Sequence, residues 1–180
     1  MKIIFIFIFV VASIICAKSN NNFRLGYSFP TKLVNEIPIE TLVKVEVTPS
    51  YNYCFDIMKI GIRQHIDRNY TYDVIPKELL GGIFFQGIHR VPTDTSIAIK
   101  VLVPMKLYFF FHNTVNGGYS KIFSNLKDWN LCDTAPQYDI NNGDHGLKMI
   151  MYSRIVKAGT YYIPATIKDR ACFNIVFKPL

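Results

Sequence analysis

Four consecutive aromatic residues, Tyr108 to Phe111, stand inside the apolar stretch of residues 105–112. Pro104 precedes this stretch, and the turn-forming sequence NTVNGG follows it. An apolar run of about seven residues between such boundaries is typical of a strand with both faces covered, because a buried helix usually runs longer. Asn116 and Gly117 tolerate positive φ angles and predict a turn. The sequence therefore predicts a buried strand followed by a reversal of the chain.

Several other segments alternate with a period of two, which is the pattern of half-buried strands. Valine occupies every second position from 43 to 47, and isoleucine or valine does so from 97 to 103. Similar alternation follows near residues 147–152 and 171–177. Helical spacing of apolar residues predicts one short helix near residues 119–127. Short strands separated by turn signals indicate an all-β chain, folded as a single β-sandwich or jelly-roll-like domain.

The first residues have the layout of a secretory signal peptide. Lys2 is followed by the apolar run of residues 3–15 and by the small residues Ala17 and Ser19, either of which could precede the cleavage site. The apolar run is shorter than the roughly 20 residues that span a bilayer, although an uncleaved anchor is the alternative. We predict a signal peptide at residues 1–19, a flexible leader at 20–40 and a β-sandwich domain at 41–180. The expected location is extracellular or the lumen of a secretory compartment, with no membrane span after signal removal.

The charge of the chain argues against nucleic acid as a partner. Removal of Lys2 and Lys18 with the signal peptide lowers the formal net charge from +7 to +5. The remaining basic residues are dispersed along the chain, whereas nucleic-acid-binding proteins concentrate them in clusters or stripes. Mild basicity suits an acidic surface or glycan as partner, and it also promotes solubility.

Three cysteines remain once Cys16 is removed with the signal peptide. In an oxidising compartment an odd number predicts one disulfide and one thiol that is free or intermolecular. A bridge between Cys132 and Cys172 is the preferred pairing, with Cys54 left over, and a bridge from Cys54 to Cys172 is the alternative. The cysteines are too far apart in sequence for the close pairs of a metal knuckle, so no metal site is predicted.

The polar loops offer few chemical motifs. Asn69 begins a glycosylation sequon in a polar segment. Asp144 and His145 lie in the loop DINNGDHG, but a calcium loop would need glutamate where Ile150 stands, which favours a solvated loop. The chain has no nucleophile elbow and no HExxH zinc motif, so neither an enzyme nor a cofactor is expected.

Residues 79–180 resemble a β-sandwich accessory module found beside secreted polysaccharide-active domains. The resemblance rests on Pro104 at a strand end, Tyr108 in the aromatic strand that follows, Trp129 about twenty residues on, and the turn Ala158-Gly159-Thr160. It implies a sandwich fold in an extracellular, glycan-related setting and no catalytic residue. The abundance of Ile, Lys, Asn, Phe and Tyr is similar to that of secreted proteins of protozoa with AT-rich genomes.

These features predict a non-enzymatic binding or adhesion module that recognises a glycan or a protein. Aromatic side chains that stack on sugars or pack on a protein are the candidate contacts, together with the polar loop. The candidate ligand-binding residues are Tyr119, Trp129, Tyr138, Asp144 and His145, with Tyr161 and Tyr162 as further aromatic candidates. The alternatives are a structural subunit of a secreted or surface complex and a carrier of a small apolar ligand.

Overall fold

The computed structural model describes residues 37–139, 147–168 and 170–180. One turn of 3₁₀ helix at Ile39–Thr41 precedes the first strand. The elements that follow are, in chain order, β1 (Val43–Thr48), β2 (Cys54–Ile57), β3 (Thr71–Val74), β4 (Ile83–Gln86), β5 (Ser96–Val101), β6 (Met105–Phe111), α1 (Tyr119–Phe123), β7 (Asn130–Leu131), β8 (Gln137–Asp139), β9 (Leu147–Lys148), β10 (Ile150–Val156), β11 (Gly159–Ile163) and β12 (Phe173–Pro179). The predicted all-β, sandwich-like fold with one short helix is confirmed.

Within the described residues the strands form three sheets, and all strand pairs in them are antiparallel. The largest sheet has six strands in the order β2-β4-β12-β6-β10-β7. A three-stranded sheet, β1-β5-β11, forms a second layer, and the small sheet β3-β8-β9 forms a third. Strand β6 pairs with β12 on one side and β10 on the other, so it lies inside the six-stranded sheet.

One hydrophobic core joins the six-stranded sheet to β1-β5-β11. The alternating Val45 of β1 and Ile99 of β5 point inward and pack in the same cluster as Leu107, Phe109 and Phe111 of β6. The period-two pattern of β1 and β5 is thereby explained, because each second residue enters the core and the others face away. This pair of layers is the predicted sandwich.

A second core covers the opposite face of the six-stranded sheet. Tyr108 and Phe110 of β6 pack there with Tyr72 of β3 and Tyr138 of β8. All four aromatic residues of β6 are therefore buried, alternately in one core and in the other. The predicted burial of both strand faces is confirmed. The third layer goes beyond the expectation of two facing layers, because strands as short as β8 and β9 carry little periodicity.

Helix α1 lies against the aromatic strand. The Phe123 ring stacks on the Phe109 ring at a centroid distance of 4.8 Å, and the Tyr119 ring meets Phe109 edge-on at 4.9 Å. The helix ends at Phe123, earlier than the predicted residue 127. The side chains of Ser124 and Asn125 both donate hydrogen bonds to the carbonyl of Lys121, and such bonds compete with the helical backbone pattern.

A turn precedes α1, as predicted, but its positive φ angles lie at Gly117 and Gly118 rather than at Asn116 and Gly117. Gly117 has φ 59° and Gly118 has φ 91°. The backbone N–H of Gly118 donates to the Asn116 side-chain oxygen at 3.1 Å. A Cβ atom at Gly117 would lie 2.5 Å from the Cβ of buried Ala171, so the turn requires both the φ angle and the missing side chain.

The predicted signal peptide and most of the predicted leader lie outside the described residues. Ile39, within the predicted leader, is fully buried in the core. The division into signal, leader and domain stays a prediction. Among the described residues, no helix combines the length and the apolar character needed to cross a bilayer.

We expect Phe109→Ala to lower the free energy of unfolding by about 3–5 kcal/mol, because it opens a cavity where five other aromatic rings meet Phe109. Tyr162→Ala is the matched control, since the Tyr162 side chain is 70% exposed and its loss should change stability by about 0.5 kcal/mol or less. Urea unfolding of both variants measures the difference. Equal losses would contradict the burial of Phe109 in the core shared with β1-β5-β11.

Two glycine variants separate the cost of the φ angle from the cost of crowding. Gly61 has φ 78°, and no neighbouring atom lies within 4 Å of the position that a Cβ would take, whereas Gly117 has both a positive φ and close neighbours. Gly61→Ala should cost about 1–2 kcal/mol of unfolding free energy through φ strain alone. Gly117→Ala should cost at least about 1 kcal/mol more, because overpacking adds to that strain. Denaturant unfolding of both variants tests this, and equal costs would show that crowding by Ala171 does not matter.

Candidate functional site

The structure places three of the predicted ligand-binding residues inside the protein. Tyr119 and Tyr138 are 0% and 2% exposed, and Trp129 is 7% exposed. Tyr119 and Trp129 pack in the core between α1 and the six-stranded sheet, and Tyr138 packs in the second core. Their prediction as surface contacts is wrong, because all three rings are needed to fill the two cores.

The other predicted polar positions have different outcomes. Asp144 and His145 lie outside the described residues, so their assignment stays a prediction. Asn69 is exposed in the loop that precedes β3. Glycosylation there also stays a prediction.

One of the aromatic candidates is exposed on a sheet. Tyr162 points away from the core on the outer face of β1-β5-β11, where it lies directly opposite Ala98. Glu46 flanks Ala98 on the other side, and Lys100 and Lys44 form the neighbouring pair on the same face. We call these five residues the outer-sheet face. Its small central residue leaves the Tyr162 ring open to solvent, with charged side chains around it.

Tyr161 faces the opposite way and does not belong to this surface. Its ring packs against the core, its hydroxyl donates to the Lys157 carbonyl at 3.0 Å, and the Arg154 guanidinium lies 5.1 Å from the ring centroid. The period-two alternation of β11 therefore decides which of two adjacent tyrosines is available to a ligand.

A second cluster gathers His65, His89 and Cys172, which lie far apart in the sequence. One ligand atom from each residue lies within 4.8 Å of the others. His65 comes from the loop between β2 and β3, His89 follows β4, and Cys172 directly precedes β12. We call these residues the histidine-cysteine cluster. Strands β4 and β12 pair in the six-stranded sheet, and this pairing brings the ends of both strands together.

Backbone contacts hold the loop that carries His65. The N–H of Ile66 donates to the Gly87 carbonyl at 3.0 Å, and the N–H of Gln64 donates to the Tyr70 carbonyl at 2.7 Å. The buried Asn174 side chain donates to the Gln64 carbonyl at 2.8 Å. The position of His65 is therefore set on both sides by the sheet and the loop itself.

His89 and Cys172 are held just as closely. The N–H of His89 donates to the Asp67 carboxylate at 2.8 Å, and the Tyr70 ring meets the His89 ring edge-on at 5.1 Å. The N–H of Cys172 donates to the Val115 carbonyl at 2.9 Å. The Cys172 thiol donates to the carbonyl of His89 at 2.7 Å, which links the two residues directly.

The cluster contains buried polar atoms that lack partners. His65 is fully buried, and neither of its ring nitrogens makes a hydrogen bond; Nδ1 of His89 is also buried without one. An unsatisfied buried polar group costs about 1–3 kcal/mol of stability. The ring nitrogens of His65 are therefore available to a ligand.

The surroundings keep both imidazoles uncharged. Burial lowers the pKa of His65 to about 3, with further lowering by His89 and Arg68, while the nearby Gly87 carbonyl opposes the shift. Burial also lowers the pKa of His89, helped by Arg68 and Arg90 and opposed by Asp67. Neutral imidazole is the form that binds metal ions, so these nitrogens could serve as ligands.

The cysteines form no disulfide in the described part of the chain. The predicted bridge from Cys132 to Cys172 is absent, because the Cys172 thiol is directed at His89 whereas the Cys132 sulfur lies 3.8 Å from the Asn130 carbonyl. The alternative bridge from Cys54 to Cys172 is also absent, since the buried Cys54 thiol donates to the Gln86 side-chain oxygen at 3.1 Å. Burial raises the pKa of the Cys172 thiol to about 12.

Comparison with known proteins identifies the fold and no family. No family model matches the chain, and no curated protein matches its sequence. A β-glucuronidase from glycoside hydrolase family 2 has a similar fold, with a TM-score of 0.57 and 13% sequence identity. The similarity covers 89% of this chain and 17% of the enzyme chain, so this chain spans less than a fifth of that enzyme's length. The chain thus shares the fold of one part of that larger enzyme.

We expect alkylation of the native protein at pH 8 to modify Cys132 and to spare Cys54 and Cys172. Cys132 is partly exposed whereas the other two are buried, and a thiol with a pKa near 12 is almost wholly protonated at that pH. Peptide mapping by mass spectrometry assigns the label, with denatured protein as the control in which all three react. If the thiols react only after a reductant is added, the result would support the predicted disulfide instead.

Proposed function

We propose that the protein is a secreted, non-enzymatic β-sandwich module that binds a glycan through the outer-sheet face. The observation that carries this proposal is the position of Tyr162, a 70% exposed ring on a regular sheet face beside the small residue Ala98. An exposed aromatic ring on a rigid strand offers a flat apolar surface at little conformational cost, and it can stack on the C–H face of a sugar ring.

The charges around Tyr162 supply the polar half of such a site. Lys44 and Lys100 can donate hydrogen bonds to hydroxyl or carboxylate groups, and Glu46 can accept them. Two lysines and one glutamate give this face a formal charge of about +1 at neutral pH. The favoured ligand is therefore a glycan that carries acidic groups, in agreement with the net positive charge of the chain.

The fold and the start of the sequence agree with this function. A β-sandwich of this size forms part of an enzyme named as a β-glucuronidase, which supports an accessory role beside sugar-active domains. The predicted signal peptide would bring the module to compartments where such glycans occur. A protein partner on the same face is the nearest alternative, because exposed tyrosine also serves protein interfaces.

The two other candidate functions have less support. A covalent subunit of a complex would need an accessible thiol, and among the described cysteines Cys54 and Cys172 are buried, which leaves Cys132. A groove beside Cys132 has a volume of about 270 Å³, and Asn113 and Lys148 are among the residues that line it. Pockets for drug-sized ligands measure about 300–1,000 Å³, so this groove is too small to support a function as a carrier of an apolar ligand.

Glycan-array binding of the wild-type protein and two variants tests the proposal. Tyr162→Ala should weaken binding to acidic glycans by about tenfold, since stacking contributes about 0.5–1.5 kcal/mol beyond area burial, and Tyr162→Phe should retain binding because the ring remains. Ile155→Ala is the control, because this side chain is 66% exposed on another sheet. No glycan bound by the wild type, or equal binding by the Tyr162→Ala variant, would refute the proposed function.

A further inference from the structure

We propose that the histidine-cysteine cluster is a binding site for one Zn²⁺ ion per chain, with His65, His89 and Cys172 as its ligands. The inference is independent of the glycan-binding function. The cluster lies at the ends of β4 and β12 in the six-stranded sheet, whereas the outer-sheet face belongs to β1-β5-β11.

The donor set determines the class of metal. Two imidazoles and one thiolate suit zinc and other ions of intermediate or soft character, whereas calcium and magnesium take oxygen ligands. A site with three protein ligands keeps a fourth position for water or another small ligand, which is the arrangement of zinc sites that are not purely structural. His89 is only half-buried, so the cluster lies close to the surface of the protein.

The unpartnered nitrogens of His65 are the independent observation that points to a ligand. A fully buried side chain with two polar atoms and no hydrogen bond is rare in folded proteins. Its ring lies 5.1 Å from the His89 ring, centroid to centroid, and both rings belong to segments that backbone hydrogen bonds hold in place. A metal ion bound between them would use a nitrogen of each.

Metal binding requires two local changes. Tetrahedral zinc with bonds of about 2.0–2.3 Å places its ligand atoms roughly 3.3–3.6 Å apart, so atoms that now lie within 4.8 Å of one another must close by at most about 1.2–1.5 Å. The Cys172 thiol gives up the proton that it now donates to the His89 carbonyl, the proton passes to solvent, and the thiolate sulfur bonds to the metal.

The charges facing the cluster are mixed. Arg68 and Arg90 act on both His89 and Cys172 and oppose a bound cation, whereas the Asp67 carboxylate favours it. Arg68 also pairs with Asp67 at 3.3 Å, which offsets part of its charge. The thiolate formed on binding supplies the negative charge that balances the remaining arginine.

Zinc titration of the purified, chelator-treated chain tests the site, with a competing chromophoric chelator reporting affinity and elemental analysis reporting stoichiometry. We expect one Zn²⁺ per chain and a melting temperature that rises with zinc concentration. Cys172→Ser and His89→Gln should each weaken binding at least about tenfold. If the Cys172→Ser variant fails to fold, the His89→Gln variant still tests the site, because His89 is only half-buried.

Two matched controls define the site. Cys132→Ser removes a thiol outside the cluster, and His112→Asn removes a histidine whose Nδ1 accepts backbone hydrogen bonds from Thr114 and Val115. Both should bind zinc like the wild type, and calcium should not compete.

Cobalt substitution gives a direct readout of the ligands. The wild-type protein should show a thiolate-to-cobalt charge-transfer band that Cys172→Ser lacks. Absence of stoichiometric zinc, undiminished binding in both cluster variants, or persistence of the band without Cys172 would overturn the proposal.

Discussion

Burial of strand β6 on both faces is the constraint on which the rest of the structure depends. Phe109 and Phe111 enter the core shared with β1 and β5, while Tyr108 and Phe110 enter the core covered by β3 and β8. A strand apolar on one face needs one covering layer, but this strand needs two. The small sheet β3-β8-β9 therefore completes the burial of the six-stranded sheet.

The need to cover both faces of β6 with apolar side chains also decides which aromatic residues remain exposed and available for binding. Tyr119 and Trp129 come late in the aromatic region and have polar neighbours in sequence, yet both rings are needed around Phe109 and Phe123. Tyr162 stays exposed because it lies on the outward position of an edge strand, opposite Ala98. Its availability follows from strand alternation and from the position of β11 at the edge of its sheet.

The same architecture explains why a cluster of histidine and cysteine forms at the end of the six-stranded sheet. Pairing of β4 with β12 joins segments separated by some eighty residues, and the loop before β3 closes over them because that loop must reach the third layer. His65 is consequently buried without a hydrogen-bond partner. Its unpaired nitrogens cost stability, and the proposed zinc ion would offset that cost.

Local pattern by itself determined the all-β class, the two-sided burial of β6, the turn at Asn116-Gly117 and the short helix, because periodicity and φ preference act between near neighbours. It also brought Tyr162 into consideration as one of several aromatic candidates. Tertiary structure alone decided which of those candidates is exposed and which groups the cysteine thiols contact. It also decided that His65 meets Cys172. These depend on which strands pair and which layers cover them, and contacts between residues far apart in sequence leave no periodic trace in a single chain.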